Sequence, residues 1–150
     1  MPHSYSNLLI HTIFSTHERV RSIDQVLKPR LCPYLAGILR ECECFPVEVN
    51  AVEDHLHFLA QVTPRISVAD LVRVVKANSS KWVHAELTGK QHFAWQAGYA
   101  AFSVSESNRE AVARYIRDQE VHHRNMFFQE EIIRHLKKYR IPYDERHLRR

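Results

Sequence analysis

An α+β fold is the class that this sequence predicts, and three observations lead to it. Four segments alternate apolar and polar residues with the two-residue period of a strand, and four others space their apolar residues as helices do. These segments follow one another in the order β-α-β-β-α-β-α-α. No internal repeat, low-complexity tract or linker divides the 150 residues, so we expect a single domain over residues 1–150.

The first half of the chain supplies a strand, a helix and a hairpin. Leu8, Ile10 and Phe14 recur at strand spacing and are expected to face a core. The helix that follows contains Pro29 and Pro33, which leave its start open. The predicted bounds are 4–14 for the strand, 24–41 for the helix, and 44–53 and 55–62 for the two hairpin strands.

The second half of the chain begins with Ser67, which is expected to cap a helix. A fourth strand is predicted over 99–105. Ser107 and Glu110 have the spacing of a capping box, which predicts a helix from there to about His122. A last amphipathic helix is predicted over 127–139. This order predicts a ferredoxin-like (split βαβ) antiparallel sheet with helices on one face, plus C-terminal helices.

The composition is typical of a soluble globular protein. Apolar residues make up 45% of the chain and charged residues 25%, and the formal net charge of +4 is compatible with a nucleic-acid partner. The chain contains no apolar run long enough to span a membrane and does not begin with a signal-like segment, so a cytoplasmic location is expected. The three cysteines are expected to be free thiols, although Cys42 and Cys44 could form a metal pair.

A pair of histidines lies in the stretch "VNAVEDHLHFLAQV", residues 49–62. Because strand side chains repeat every two residues, His55 and His57 share one face and their rings can converge on one ion. The chain has 11 histidines, so such a pair is weak support for a metal site by itself. Two hydrogen-bonded histidines on a polar strand face are the alternative.

A tyrosine on the predicted helix after the fourth strand is the second candidate. Tyr115 and Gln119 are four residues apart and share a helical face, with Asp118 and His122 close to it. A tyrosine hydroxyl is a poor nucleophile, but a divalent cation can activate a phosphodiester towards it. Two imidazoles and an amide or carboxylate oxygen can hold Mg²⁺ or Mn²⁺, while Zn²⁺ with a bound hydroxide is the rival interpretation. An ordinary packing role for Tyr115 is the simpler alternative.

The H-hydrophobic-H strand and the later helix with "YIRDQ" resemble the HUH single-tyrosine transposases, the small transposases of insertion sequences that act on single-stranded DNA. Further segments resemble the family in the same order over nearly the whole chain. These segments are "IHTIFSTHERVRSI", "VVKANSSKWV", "WQAGYAAFSVSES" and "YIRDQEVHH" with the following "FFQEE".

The resemblance implies a role for four residues. Tyr115 matches the nucleophile, which would form a 5′-phosphotyrosine link to single-stranded DNA and leave a free 3′-hydroxyl. His55 and His57 match the paired metal ligands, and Gln119 matches the third ligand of a divalent Mg²⁺ or Mn²⁺. No nucleotide cofactor is expected, because transesterification conserves bond energy and the chain has no P-loop glycine pattern.

Several histidines and one carboxylate stay outside that assignment. Asp118 could replace or assist the glutamine as a ligand, and His122 and His123 could belong to the site or merely cap the helix. Four further histidines are interpreted as structural or surface residues: His11, His84, His92 and His135.

The resemblance also implies partners. These are DNA hairpins near the ends of an element and a homodimer in which the tyrosine helix of one chain completes the site of the other, in trans. The sequence by itself leaves supply in cis open. The candidate DNA contacts are basic residues, each of which could equally be a solvated charge: Arg19, Arg21, Arg65, Arg73, Lys76 and Lys81. The alternatives are a domesticated relative that acts on genomic repeats, a non-enzymatic nucleic-acid-binding sheet, and a zinc hydrolase that does not use Tyr115.

Overall fold

The computed structural model describes residues 3–123 and 126–148. Four strands form one sheet in the order β2-β3-β1-β4, and all neighbouring strands are antiparallel. This confirms the predicted α+β class and its antiparallel sheet. The strands are Leu9–Ser15 (β1), Phe45–Ala51 (β2), His55–Gln61 (β3) and Ala100–Val104 (β4).

Six α-helices accompany the sheet within the described residues. They are Lys28–Glu41 (α1), Val68–Glu86 (α2), Arg109–Arg117 (α3), Gln119–His122 (α4), Phe128–Lys138 (α5) and Glu145–Leu148 (α6). The helices α1 and α2 cover one face of the sheet, and the C-terminal helices α3 and α5 cover the other.

The core under α1 and α2 is apolar. Phe14, Leu56 and Phe58 project into it from the central strands and are fully buried, and they meet Leu35 of α1 and Val75 of α2. Phe14 therefore faces the core as predicted. The prediction for Leu8 is wrong, because β1 begins only at Leu9 and the Leu8 side chain, just before it, is 42% exposed.

The opposite face of the same strands carries polar residues between two small apolar clusters. Leu59 and Ile116 pack in one cluster, and Ile13 and Ile132 pack in the other. The register pairs His11 with Leu59 and Ile13 with His57, so His11 and His57 are diagonal neighbours on this face. Diagonal neighbours across strands are within reach of ring side chains.

Helix starts agree with the sequence in one case and differ in two. The Ser67 side chain accepts a hydrogen bond from the Asp70 N–H, so α2 is capped as predicted. The helix α1 begins at Lys28, later than the predicted residue 24, after a turn in which the Asp24 carboxylate accepts the N–H groups of Val26 and Leu27. The predicted capping box is wrong, because the Ser107 hydroxyl hydrogen-bonds to Ser105 instead and α3 begins only at Arg109.

The predicted helix over 107–122 is interrupted. Asp118 leaves the helical conformation, with φ of −94° and ψ of 22°, and separates α3 from α4. The three cysteines, Cys32, Cys42 and Cys44, are free thiols, as predicted. Within the described ranges we find no helix with the length and apolar character needed to cross a lipid bilayer.

Candidate metal centre and tyrosine site

Strand β3 brings the predicted histidine pair to the face beneath α3 and α5. Both His55 and His57 are fully buried. Their ring centroids lie 5.2 Å apart, so the two side chains converge, as their shared strand face implies.

A glutamate and a third histidine join this pair. Oε1 of Glu131, on α5, lies 3.1 Å from Nε2 of His55 and 3.0 Å from Nε2 of His57. The same oxygen lies 3.0 Å from Nε2 of His123, which follows α4. All four donor atoms lie within 4.8 Å of one another. Three imidazole nitrogens and one carboxylate oxygen therefore share one small volume.

Outer hydrogen bonds orient both strand histidines. Nδ1 of His55 lies 2.7 Å from Oδ1 of Asp54 and donates its hydrogen to that carboxylate. Nδ1 of His57 lies 2.8 Å from Nε2 of His11. In both rings Nε2 is the atom that faces the cluster, which is the arrangement found where a carboxylate or another acceptor orients a metal-binding histidine.

The buried ionisable groups of the cluster shift one another's pKa values. Burial alone would raise the pKa of Glu131, but hydrogen bonds from the surrounding histidines hold it far below its usual range. Burial lowers the pKa of His57 to about 4, despite its hydrogen bond to Glu131. Burial also acts to lower the pKa of His55, but hydrogen bonds to Asp54 and Glu131 outweigh it and raise that pKa. The cluster therefore combines a buried carboxylate anion with at least one neutral imidazole.

The predicted nucleophile lies beside the cluster. The Tyr115 hydroxyl donates a hydrogen bond to Oε2 of Glu131, the carboxylate whose other oxygen meets the histidines. The tyrosine ring stacks on His122, with centroids 4.6 Å apart, and lies 6.0 Å from the ring of His57. Burial, followed by the negative charge of Glu131, raises the pKa of Tyr115 above its usual value. If Tyr115 acts as the predicted nucleophile, another group must therefore stabilise the negative charge that its hydroxyl oxygen gains on losing its proton.

The helix break leaves Gln119 close to the tyrosine but moves Asp118 away. Gln119 is fully buried, and its Nε2 lies 3.3 Å from the Tyr115 carbonyl oxygen. Its Oε1 has no hydrogen-bond partner among the residues that the structure describes. Asp118 is exposed, and its carbonyl oxygen accepts the N–H groups of Val121 and His122 in α4. The structure thus brings Gln119, but not Asp118, to the interior beside Tyr115.

The cluster of three histidines and Glu131, together with Gln119, fits a divalent cation. The buried Gln119 Oε1 is an oxygen atom without a hydrogen-bond partner in the described part of the chain, and a buried polar atom without one is costly. Imidazole and carboxylate are common ligands of Mn²⁺ and Zn²⁺, and Mg²⁺ prefers oxygen. The separations of 3.0 to 3.1 Å from Glu131 to each imidazole are close to the roughly 3.0 Å expected between adjacent ligands of an octahedral ion.

The basic residues predicted to contact DNA are distributed over the surface. The Lys76 ammonium is half-buried and donates to the carbonyl oxygens of Gln96, at 2.8 Å, and Gly98. Arg21 and Arg73 are exposed, each 3.7 Å from a neighbouring carboxylate oxygen. The remaining three are partly or fully exposed, Arg65 in an ion pair with Glu43: Arg19, Arg65 and Lys81.

Sequence reasoning missed Glu131 and the role of His11. Glu131 lies within the apolar stripe of α5, with Ile132 and Leu136 buried on the same side. A carboxylate inside an apolar stripe was the available signal. His11 was interpreted as structural or surface, but it is buried and hydrogen-bonded to His57.

Comparisons with known proteins agree with one another. The family described as transposase IS200 like matches residues 4–119. The ISDra2 transposase TnpA of Deinococcus radiodurans is 29% identical over 106 residues, which covers 63% of this chain and 74% of that protein. This curated relative supports the same family as the match over residues 4–119.

Two solved structures share the fold. A crystal structure of a protein described as a transposase from Deinococcus radiodurans R1 has a TM-score of 0.64 and 23% identity, covering 79% of this chain and 96% of that one. The structure of a REP-associated tyrosine transposase bound to a REP hairpin has a TM-score of 0.57 and 13% identity, covering 82% of this chain and 74% of that one. At these identities the two structures support the fold alone.

Proposed function

Because the chain belongs to the IS200-like transposase family, we propose that it nicks and rejoins single-stranded DNA with Tyr115 as the nucleophile. The observation that carries this proposal is a single carboxylate, Glu131, which meets the Tyr115 hydroxyl with one oxygen and the paired histidines with the other. The proposed nucleophile and the proposed metal ligands are therefore neighbours within one chain.

In the proposed reaction, the Tyr115 oxygen attacks a backbone phosphorus of single-stranded DNA. A bond forms between that oxygen and phosphorus, and the bond from phosphorus to the 3′ oxygen breaks. The product is a 5′-phosphotyrosine link and a 3′-hydroxyl, and attack by a different 3′-hydroxyl reverses the step and joins the strands. One phosphodiester is exchanged for another, so no nucleotide cofactor is consumed.

A divalent cation, Mg²⁺ or Mn²⁺, would polarise the phosphate and offset the charge that develops on it. We propose that His55, His57 and Gln119 hold it. The convergence of the two rings supports this set, and so does the buried Gln119 Oε1, which has no hydrogen-bond partner among the described residues. Asp54 and His11 orient the two rings through their Nδ1 atoms.

We propose that the DNA partner carries a hairpin and approaches through a groove of about 1140 Å³ beside the cluster. The groove is lined in part by His123, by the basic residues Arg21 and Lys28, and by the carboxylates of Asp24, Glu53, Asp54 and Glu120. Exposed Phe127 also lines it and offers a surface on which a base can stack. The basic residues Arg19, Arg73 and Lys81 remain candidate contacts to the DNA backbone.

The arrangement of the tyrosine supports attack in cis. Tyr115 bonds to Glu131 and stacks on His122 of its own chain. A homodimer that exchanges the tyrosine helix but leaves α5 in place would have to break the contact with Glu131, so we propose the dimer without that exchange.

The test is a covalent adduct assay. Purified protein is incubated with labelled single-stranded oligonucleotides that carry imperfect hairpins, some with the sequences of element ends and some with those of genomic repeats, together with Mg²⁺ or Mn²⁺. We expect an adduct that survives denaturation and is lost with a chelator and in Tyr115→Phe. Tyr34→Phe is the matched control, because Tyr34 stacks on Trp82 on the opposite side of the sheet and should retain the adduct. An adduct that persists in Tyr115→Phe would contradict the proposal.

A zinc hydrolase is the second candidate, and the donor set favours it. Three histidines and a glutamate around one volume are typical zinc ligands. This alternative predicts DNA cleavage without a covalent adduct, and it predicts that Tyr115→Phe cleaves as well as the wild-type protein. The same assay therefore separates the two functions.

A further inference from the structure

We propose that His123 and Glu131 complete the metal centre that His55 and His57 begin, and that α5 is thereby part of the active site. Both residues lie beyond the segment that matches the family, which ends at Gln119. The role of the cation in DNA cleavage rests on the proposed function, whereas its binding to these residues does not.

Geometry is the first support. One oxygen of Glu131 lies 3.0 to 3.1 Å from the Nε2 atoms of three different histidines. These side chains come from β3, from the segment after α4 and from α5, so three separate parts of the chain converge on one point. Nε2 of His55 and Nε2 of His123 are themselves only 3.0 Å apart.

The hydrogen-bond pattern is the second support. Since Nδ1 of His55 donates to Asp54, a neutral His55 turns the lone pair of Nε2 towards the Glu131 oxygen. A lone pair and a carboxylate oxygen repel each other at 3.1 Å unless a proton or a cation lies between them. His57 presents Nε2 in the same way when its Nδ1 donates to His11.

Burial is the third support. The Glu131 side chain has no exposed surface, and its carboxylate lies among rings rather than at the rim of the helix. A buried charge is retained only where it is paired or binds a metal. Its second oxygen accepts the Tyr115 hydroxyl, so the same side chain positions the proposed nucleophile against the metal ligands.

The chemistry of the set indicates the class of ion. Three imidazoles and one carboxylate suit Mn²⁺, Co²⁺ or Zn²⁺, whereas Mg²⁺ prefers a shell of oxygen atoms. We therefore expect the isolated protein to bind a divalent transition metal more tightly than Mg²⁺.

The test uses Co²⁺ as a probe of the full chain after chelator treatment, without DNA. Binding is followed by visible absorption and by the shift in melting temperature. We expect Glu131→Gln and His123→Ala each to weaken Co²⁺ binding by at least about tenfold, the lower end of what loss of an outer partner costs, and to change the absorption spectrum. Glu130→Gln is the matched control, because Glu130 is its neighbour on the same helix, lies outside the cluster and should bind Co²⁺ as the wild type does.

Two results would overturn the inference. One is a Glu131→Gln protein that binds Co²⁺ with wild-type affinity and spectrum. The other, if Glu131→Gln does not fold by circular dichroism, is wild-type binding by His123→Ala, whose side chain is only partly buried. A wild-type protein that binds Co²⁺ but forms no DNA adduct would count against the proposed function alone, so the two failures are distinguishable.

Discussion

On one face of β3, Leu56 and Phe58 pack into the apolar core under α1 and α2; on the other, His55 and His57 of the same strand face α3 and α5. All four side chains are fully buried. The apolar face is stabilised by the removal of apolar surface from water, which depends on volume and shape rather than on particular partners. The histidine face needs a specific partner for each polar atom, because a buried polar group without one is costly.

The apolar face therefore accounts for stability, whereas the histidine face carries the proposed site. Apolar residues of the right size could replace one another under α1 and α2 at modest cost. Beneath α3 and α5, replacement of either strand histidine by an apolar residue would leave Asp54, His11 or Glu131 without its hydrogen-bond partner. Variants that affect one face and spare the other test this division.

The largest effect is expected on the apolar face. Phe58→Ala should lower the free energy of unfolding by about 3–5 kcal/mol, because it removes a fully buried ring and leaves a cavity. Urea denaturation measures the loss. Phe45→Ala is the matched control, because Phe45 is 60% exposed on the edge strand β2 and should change the free energy of unfolding little. Equal losses in the two variants would contradict the comparison.

The next effect is expected on the histidine face and concerns metal affinity. His11→Ala removes the partner of His57 Nδ1 and should weaken binding of Mn²⁺ or Co²⁺ by about 10–100-fold, as loss of an outer hydrogen bond does. His11→Gln retains a hydrogen-bonding group and should recover part of that affinity. Isothermal titration calorimetry at constant pH measures both variants, and full affinity in His11→Ala would show that His57 needs no such partner.

The smallest effect separates the helices of the two faces. Ser67→Ala should cost about 1 kcal/mol of stability, since its hydroxyl caps α2 on the apolar face. Ser107→Ala should cost much less, because the Ser107 hydroxyl bonds to Ser105 rather than to α3 and the residue is exposed. Thermal unfolding of the two variants measures both losses of stability. A larger loss in Ser107→Ala than in Ser67→Ala would mean that Ser107 caps α3 in solution.

Local patterns in the sequence predicted most of the fold. The two-residue period of β3 placed Phe58 in the core and both histidines on the opposite face, and Ser67 marked the start of α2 correctly. The strand order follows from the arrangement of elements, which permits few topologies. Ser107 misled because a capping box is only a local pattern, and at this position Ser105 offers its hydroxyl a competing partner.

The candidate site was predicted only where its residues are close in sequence. His55 and His57 are two residues apart, and Tyr115 and Gln119 are four apart, so local geometry relates the members of each pair. Glu131 meets His57 across 74 residues, and no local spacing encodes that contact. It depends on how α5 packs against the sheet, which is a tertiary property.

The position of Glu131 in the chain also has a consequence in time. Val104, the last residue of the sheet, precedes Glu131 by 27 residues. At a synthesis rate of about 5–20 residues per second, the carboxylate follows the last strand by roughly one to five seconds. During that interval a growing chain holds the strand histidines without their carboxylate partner. We therefore expect the ion to be captured late in synthesis, after the sheet can already form.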